Sequence, residues 1–136
     1  MYLFINSLDG NKIVLVLIKK GKVFQKLTLL TKQGRSENIL KGIDRILKKS
    51  RKTLKGLKGI IVASGPGAFT GIRIALSVAN TLAWFLKIPA VGVNLAEGKD
   101  NNELIKMGLA RLAKTKPGQQ VMPYYGKEPN ITMPKS

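Results

Sequence analysis

The sequence predicts a single α/β domain built on a mixed five-stranded sheet flanked by helices. Three observations predict it. Short β-branched runs follow one another at the N-terminus with turn residues between them, and the hydrophobic period then changes from two to about 3.6. A glycine-rich loop next joins an apolar strand to an apolar helix. With 136 residues, 44% of them hydrophobic, the chain suffices for one core but not for two full domains.

Leu3-Phe4-Ile5 and Ile13 to Ile18 are separated by Asp9-Gly10, a dipeptide suited to the positive φ of a tight hairpin turn, and read as antiparallel strands. A second turn at Lys19-Lys20-Gly21-Lys22 leads into a third strand, Val23 to Leu30. There Val23, Gln25, Leu27 and Leu29 alternate with Phe24, Lys26, Thr28 and Leu30. A helix follows from Ser36, its expected N-cap, to Ser50. Ile39, Leu40, Ile43, Ile46 and Leu47 form its apolar face, opposite Lys41, Arg45, Lys48 and Lys49.

The basic linker Leu54 to Gly59 precedes a buried strand, Ile60-Ile61-Val62-Ala63. From Gly71 to Leu86 the only charge is Arg73, so this helix is apolar on nearly every side and is expected to be covered twice. Gly71, Ala75, Ala79 and Ala83 make a small-residue stripe, and Ile72, Leu76, Leu82 and Leu86 supply bulk elsewhere. The helix reads either as a central core element or as a partner interface, the second being preferred in so short a chain. Pro89 ends it, and Ala90-Val91-Gly92-Val93 gives the last strand.

A final helix is expected from about Asn102 to Lys114, with Leu104, Ile105, Gly108, Leu109 and Leu112 on one face. From Lys116 onward Pro117, Gly118, Pro123, Pro129 and Pro134 mark an extended tail. The order β-β-β-α-β-α-β matches one half of the actin, sugar-kinase and heat-shock ATPase superfamily, a ribonuclease H-like fold.

Twenty-four basic residues against 7 acidic ones give a net charge of +17. Such a charge attracts polyanions such as tRNA, or equally reflects lysines that only solvate helix faces. Lys48, Lys49, Arg51, Lys52, Lys55 and Lys58 cluster in the sequence, but no aromatic residue interleaves with them, so base stacking is not indicated. The chain has no Cys and no His, so zinc sites and His-based nucleophile systems cannot be assembled from it, and no metal or cofactor is expected. The N-terminus lacks a signal-peptide pattern and no apolar run approaches a membrane span, so a cytoplasmic protein is expected.

A glycine loop between a strand and a helix can lay N–H groups against an anion. Here Gly71 is followed by Ile72 and Arg73 rather than Lys-Ser/Thr, and the third glycine falls one residue late for a dinucleotide fingerprint. Instead Ser64-Gly65-Pro66-Gly67-Ala68-Phe69-Thr70-Gly71-Ile72-Arg73 resembles the G-P-G-S-F-T-G-L/V-R signature of the TsaB/YeaZ family, with Ala68 at the usual serine. The likeness continues through Ala79, Leu82 and Ala83 to Ile88-Pro89-Ala90-Val91-Gly92-Val93, similar to the family's "lPvvgV" strand. It covers roughly the first hundred residues and returns at Pro123-Tyr124-Tyr125-Gly126-Lys127. The chain departs from the family at Asn6-Ser7, where an acidic D-T is usual, and over residues 98–115, where one helix stands in place of a second lobe.

The resemblance implies a TsaB-like domain over 1–97, a helix over 98–115 and a tail over 116–136. It implies a shortened, non-catalytic subunit that dimerises with TsaD, the enzyme that transfers threonylcarbamoyl to adenosine 37 of tRNA, with the TsaE ATPase joining the pair. The interface would comprise the first helix, through Ile39, Ile43 and Ile46, and the apolar helix, through Ile72, Arg73, Ala75, Leu76, Ala79, Leu82 and Ala83. In the signature loop, Gly65, Pro66, Gly67 and Gly71 turn the chain sharply, Thr70 completes the pattern, and Phe69 is expected to anchor it. The alternatives are a free-standing homodimeric or RNA-binding module, and a degenerate ATP-dependent kinase-like enzyme. The last needs a second lobe to close over nucleotide, and a metallopeptidase needs ligands that the absence of His withholds.

Overall fold

The computed structural model describes residues 1–9, 12–30, 36–67, 69–95 and 100–123, and at 36–38 and 69–70 the backbone only. Its strands are β1 (Tyr2–Asn6), β2 (Lys12–Lys19), β3 (Lys22–Leu30), β4 (Gly59–Gly65) and β5 (Ala90–Asn94). The helices are α1 (Ser36–Lys49), α2 (Phe69–Leu86) and α3 (Asn101–Leu112), with a 3-10 turn at Leu54–Gly56. The expected element order is therefore the observed one. α2 starts at Phe69, two residues before the expected Gly71.

The sheet order is β3-β2-β1-β4-β5. β1, β2 and β3 pair antiparallel as a meander, whereas β4 runs parallel to both β1 and β5, so the sheet is mixed. Every residue of β4 is buried, because it lies between two strands with helices on both faces. Period-two alternation divides the side chains between two layers. Leu3, Ile5, Leu15, Leu17, Ile60 and Val62 point to the layer of α1 and α2, and Phe4, Val14, Val16, Ile61, Val91 and Val93 to the layer of α3. α1 lies over β2 and β3 and beside α2, which lies mainly over β4.

Two expected positions are corrected. Leu40 is half exposed, because α1 meets the sheet through Ile39, Ile43, Ile46 and Leu47, and Leu40 turns past the edge of that stripe. In β3 the alternation holds at Gln25, Leu27 and Leu29 but not at Val23, which is 50% exposed. The register explains this. Leu17 pairs with Gln25 and Ile18 with Val23, so Phe24 is the extra residue of a bulge, which shifts the side-chain phase on one side of it. The Asp9-Gly10 turn, Ala68, the side chains of Phe69 and Thr70, the proposed Ser36 cap and residues 124–127 lie outside the described residues.

The chain leaves α3 as an irregular strap. Asp100 caps that helix at its start, its carboxylate accepting from the Glu103 amide at 2.9 Å. Beyond its end Val121 is buried in the α1/α2 layer, gripped by one side chain of α2. Asn80 Nδ2 donates to the Val121 carbonyl at 3.1 Å, and the Val121 amide donates to Asn80 Oδ1 at 2.9 Å. Gly92 on β5 allows the approach: a Cβ there would sit 2.8 Å from Val121 Cγ1. From the other layer, Arg111 of α3 donates to the Gly92 carbonyl at 2.7 Å. The strap thus crosses the outer edge of β5.

Candidate functional site

β4 delivers the signature loop to the end of the sheet. Gly65 has φ of +135°, a conformation L side chains rarely adopt, and a cis peptide bond joins it to Pro66. What the loop glycines face decides between anion cradle and tight turn. A Cβ on Gly67 would lie 2.6 Å from the Leu8 carbonyl oxygen, and a Cβ on Gly71 would lie 2.7 Å from the Ser7 oxygen and 2.9 Å from Ser7 Oγ. The exit of β1 therefore presses its backbone against the loop and the first turn of α2. Ser7 is buried there, and its Oγ has no hydrogen-bond partner among the described residues. These two glycines serve close packing between chain segments.

Asn6 stands at the position where a carboxylate was the family expectation, and both ends of its amide are engaged. Its Oδ1 accepts from the Leu8 amide at 3.0 Å and its Nδ2 donates to Asn101 Oδ1 at 2.7 Å, tying β1 to the start of α3. Ser64 Oγ donates to the Val93 carbonyl at 3.2 Å. Among the described residues no group of three or more His, Cys, Asp or Glu could hold a metal ion.

Most of the residues expected at an interface face inward. Ile39, Ile43, Ile46, Ile72, Ala75, Leu76, Ala79 and Ala83 are buried in this chain's own core, and Leu82 is half-buried against it. The small-residue stripe brings α2 close to the sheet. Only Arg73 of the expected set is exposed.

The outward side of α2 carries Arg73, Ser77 and Thr81 and ends in Trp84 and Phe85, which are 77% and 70% exposed. Large aromatics are seldom left so open on a helix beside a core. Sequence reasoning passed over this pair. The available signal was their position in the last turn, off the Ile72, Ala75, Ala79, Ala83 stripe. A cleft of about 360 Å³ adjoins them, lined by Asn80, Thr81, Ala83, Trp84 and the strap residues Gly118, Gln119 and Gln120. α1 adds Leu40, Lys41, Asp44, Arg45 and Lys48 to the outward surface.

Comparison with known proteins gives the geometry a context. The family described as "TsaD: tRNA N6-adenosine threonylcarbamoyltransferase" matches residues 29–113. The chain is 38% identical over 79 residues to the tRNA threonylcarbamoyladenosine biosynthesis protein TsaB of Buchnera aphidicola subsp. Schizaphis graminum, a match covering 58% of this chain and 38% of that protein. It is 31% identical over 83 residues to the TsaB of Bacillus subtilis, covering 61% of this chain and 36% of the relative. Among solved structures, YeaZ from Pseudomonas aeruginosa superposes with a TM-score of 0.63 at 25% identity, over 68% of this chain and 43% of that one. The chain thus spans well under half the length of these relatives. No helix among the described residues is long and apolar enough to cross a membrane.

Proposed function

The chain belongs to the tRNA N6-adenosine threonylcarbamoyltransferase family, as a relative of its TsaB/YeaZ members, and from that premise we propose that it is a non-catalytic partner subunit. It pairs with a TsaD-type transferase that modifies adenosine 37 of tRNA, and it works in the cytoplasm. The observation that carries this reading is the two-sided character of α2. Its inner stripe is satisfied by the sheet, whereas Trp84 and Phe85 present a large open aromatic surface. Aromatic side chains that bury about 150–250 Å² each are the kind of group that anchors a protein interface.

The non-catalytic part draws support from Asn6 and from the loop. A neutral amide engaged on both sides offers no carboxylate for ordering a metal and its water, and Gly67 and Gly71 lie against Leu8 and Ser7. Residues 1–97 act in this proposal as the pairing lobe. α3 closes the other face of the sheet; in this proposal 98–115 stands in place of a second lobe and 116–136 follows as a tail. TsaE joins as a third component.

The test is co-purification with the TsaD homologue of the same organism, using wild type and a Trp84→Glu/Phe85→Glu double variant. Wild type is expected to form a complex and the double variant to lose it while keeping its circular dichroism and melting temperature. Failure of the wild type to pair overturns the proposal. Sedimentation of the chain alone reads out a homodimer through the same face.

A further inference from the structure

At the opposite end of the sheet from the signature loop, four segments meet around a cavity of about 250 Å³. It is lined by Met1 before β1, Lys19 at the end of β2, Arg51, Lys52 and Thr53 after α1, and Gly56 in the 3-10 turn. Among the described residues no carboxylate lines it. Among the described acidic residues, Asp44 pairs with Lys48 at 3.1 Å. Asp9 follows β1, and Asp100 and Glu103 begin α3, all at the far end of the sheet. Lys58 adjoins the cavity, its amide donating to the Met1 carbonyl at 2.8 Å, and the Met1 amine is held below its ordinary range by burial and then by Lys58, Lys19 and Lys52.

The bulge in β3 supplies the second component. It aims Phe24, 44% exposed, at this end of the sheet, where Lys19 Nζ and Lys52 Nζ lie 5.7 and 5.5 Å from the ring centroid. An aromatic ring therefore does interleave with the basic cluster, contributed by a strand remote in sequence. Two cationic residues at this end, Lys20 and Arg51, hold left-handed backbone at φ of +54° and +56°, where glycine or asparagine is the usual occupant.

We propose that this pocket binds single-stranded RNA, with backbone phosphate among Lys19, Arg51, Lys52 and Lys58 and a base stacked on Phe24. A phosphate draws the two lysine ammonium groups off the ring, so that the same movement neutralises the anion and uncovers a stacking face. A duplex has no base free for the ring, and a lipid headgroup has no base at all. The proposal is independent of pairing through α2 and concerns the chain alone.

The experiment is fluorescence anisotropy of the full chain with a 5′-labelled ten-nucleotide single-stranded RNA and with duplex RNA of equal length, between 50 and 200 mM salt. Single strand is expected to bind more tightly. Phe24→Ala is expected to weaken it roughly 5- to 150-fold, the range alanine substitution gives for one stacked base, and Phe24→Trp to restore it. Lys19→Gln/Lys52→Gln should make the log–log salt slope shallower by about 1.4, at about 0.7 per phosphate contact on a single strand. The proposal is overturned by equal affinity for duplex, by an unchanged Phe24→Ala of native melting temperature, by displacement with equimolar AMP, or by binding only to anionic phosphatidylserine vesicles.

Discussion

Replacing Asn80 with alanine removes both hydrogen bonds that hold Val121, the donation to its carbonyl and the acceptance from its amide. Each is worth about 0.5–1.5 kcal/mol net. Gln119, Gln120 and Met122 are exposed around Val121, so water takes up the freed groups and the full desolvation penalty does not apply. The expected cost is therefore about 1–3 kcal/mol, which raises the opening constant of the strap roughly 5- to 150-fold. Amide hydrogen exchange at Val121 reads this directly, with the Ile61 amide on β4 as an internal reference for global unfolding. Val121 should accelerate by at least that factor, since its amide also loses its acceptor, while Ile61 stays nearly unchanged. Asn80→Asp sharpens the test: it keeps the acceptor for the Val121 amide but sets a carboxylate oxygen against the carbonyl. Its folded-state pKa is then raised, so its stabilising contribution is present at low pH and lost as pH rises. Exchange at Val121 that stays within twofold of wild type in Asn80→Ala refutes the reasoning, since something else would then hold the strap.

Further outcomes follow from burial and close approach. Gly71→Ala gains up to about 1 kcal/mol in helix propensity but drives a Cβ into Ser7 backbone that cannot retreat; a net loss of about 1–2 kcal/mol in urea denaturation is expected. Gly108→Ala meets three atoms of buried Ile61 at 2.4–2.8 Å and should likewise lower the urea midpoint. Leu76→Asp and Ala79→Arg place a charge in a site 4% or less exposed, so both should fail to fold by circular dichroism and cannot report on pairing. Trp84→Ala and Phe85→Ala, being on the surface, should change stability by no more than about 0.5 kcal/mol.

The elements were legible because their signals are local. The turn at Lys19-Lys20-Gly21-Lys22, the change of period after Leu30, and the glycines and proline around Ala63 to Gly71 each report within a few residues. What escaped depends on register between strands or on partners far along the chain. The bulge at Phe24 arises from register against Leu17 and Ile18, and no pattern within β3 reveals it. The grip of Asn80 on Val121 spans 41 residues. For α2, apolar residues on nearly every side left its orientation undetermined. The docked helix resolves this by turning its small residues and Ile72 to the sheet, so the expected interface side chains became core and Trp84 and Phe85 became surface. The family signature was readable in the loop, whereas its packing against Ser7 and Leu8 required the fold.

The strap over β5 bears on how this protein can meet others. A sheet ends in two strands whose outer backbone groups are a template for any passing strand. Here Arg111 occupies the Gly92 carbonyl and Val121 lies across the same residue, while β3 at the far side carries Lys22 and Lys26. Extending the sheet with a neighbour's strand at β5 would first require displacing the strap. Recognition by strand addition, and the runaway stacking it permits, is thereby made costly at that edge.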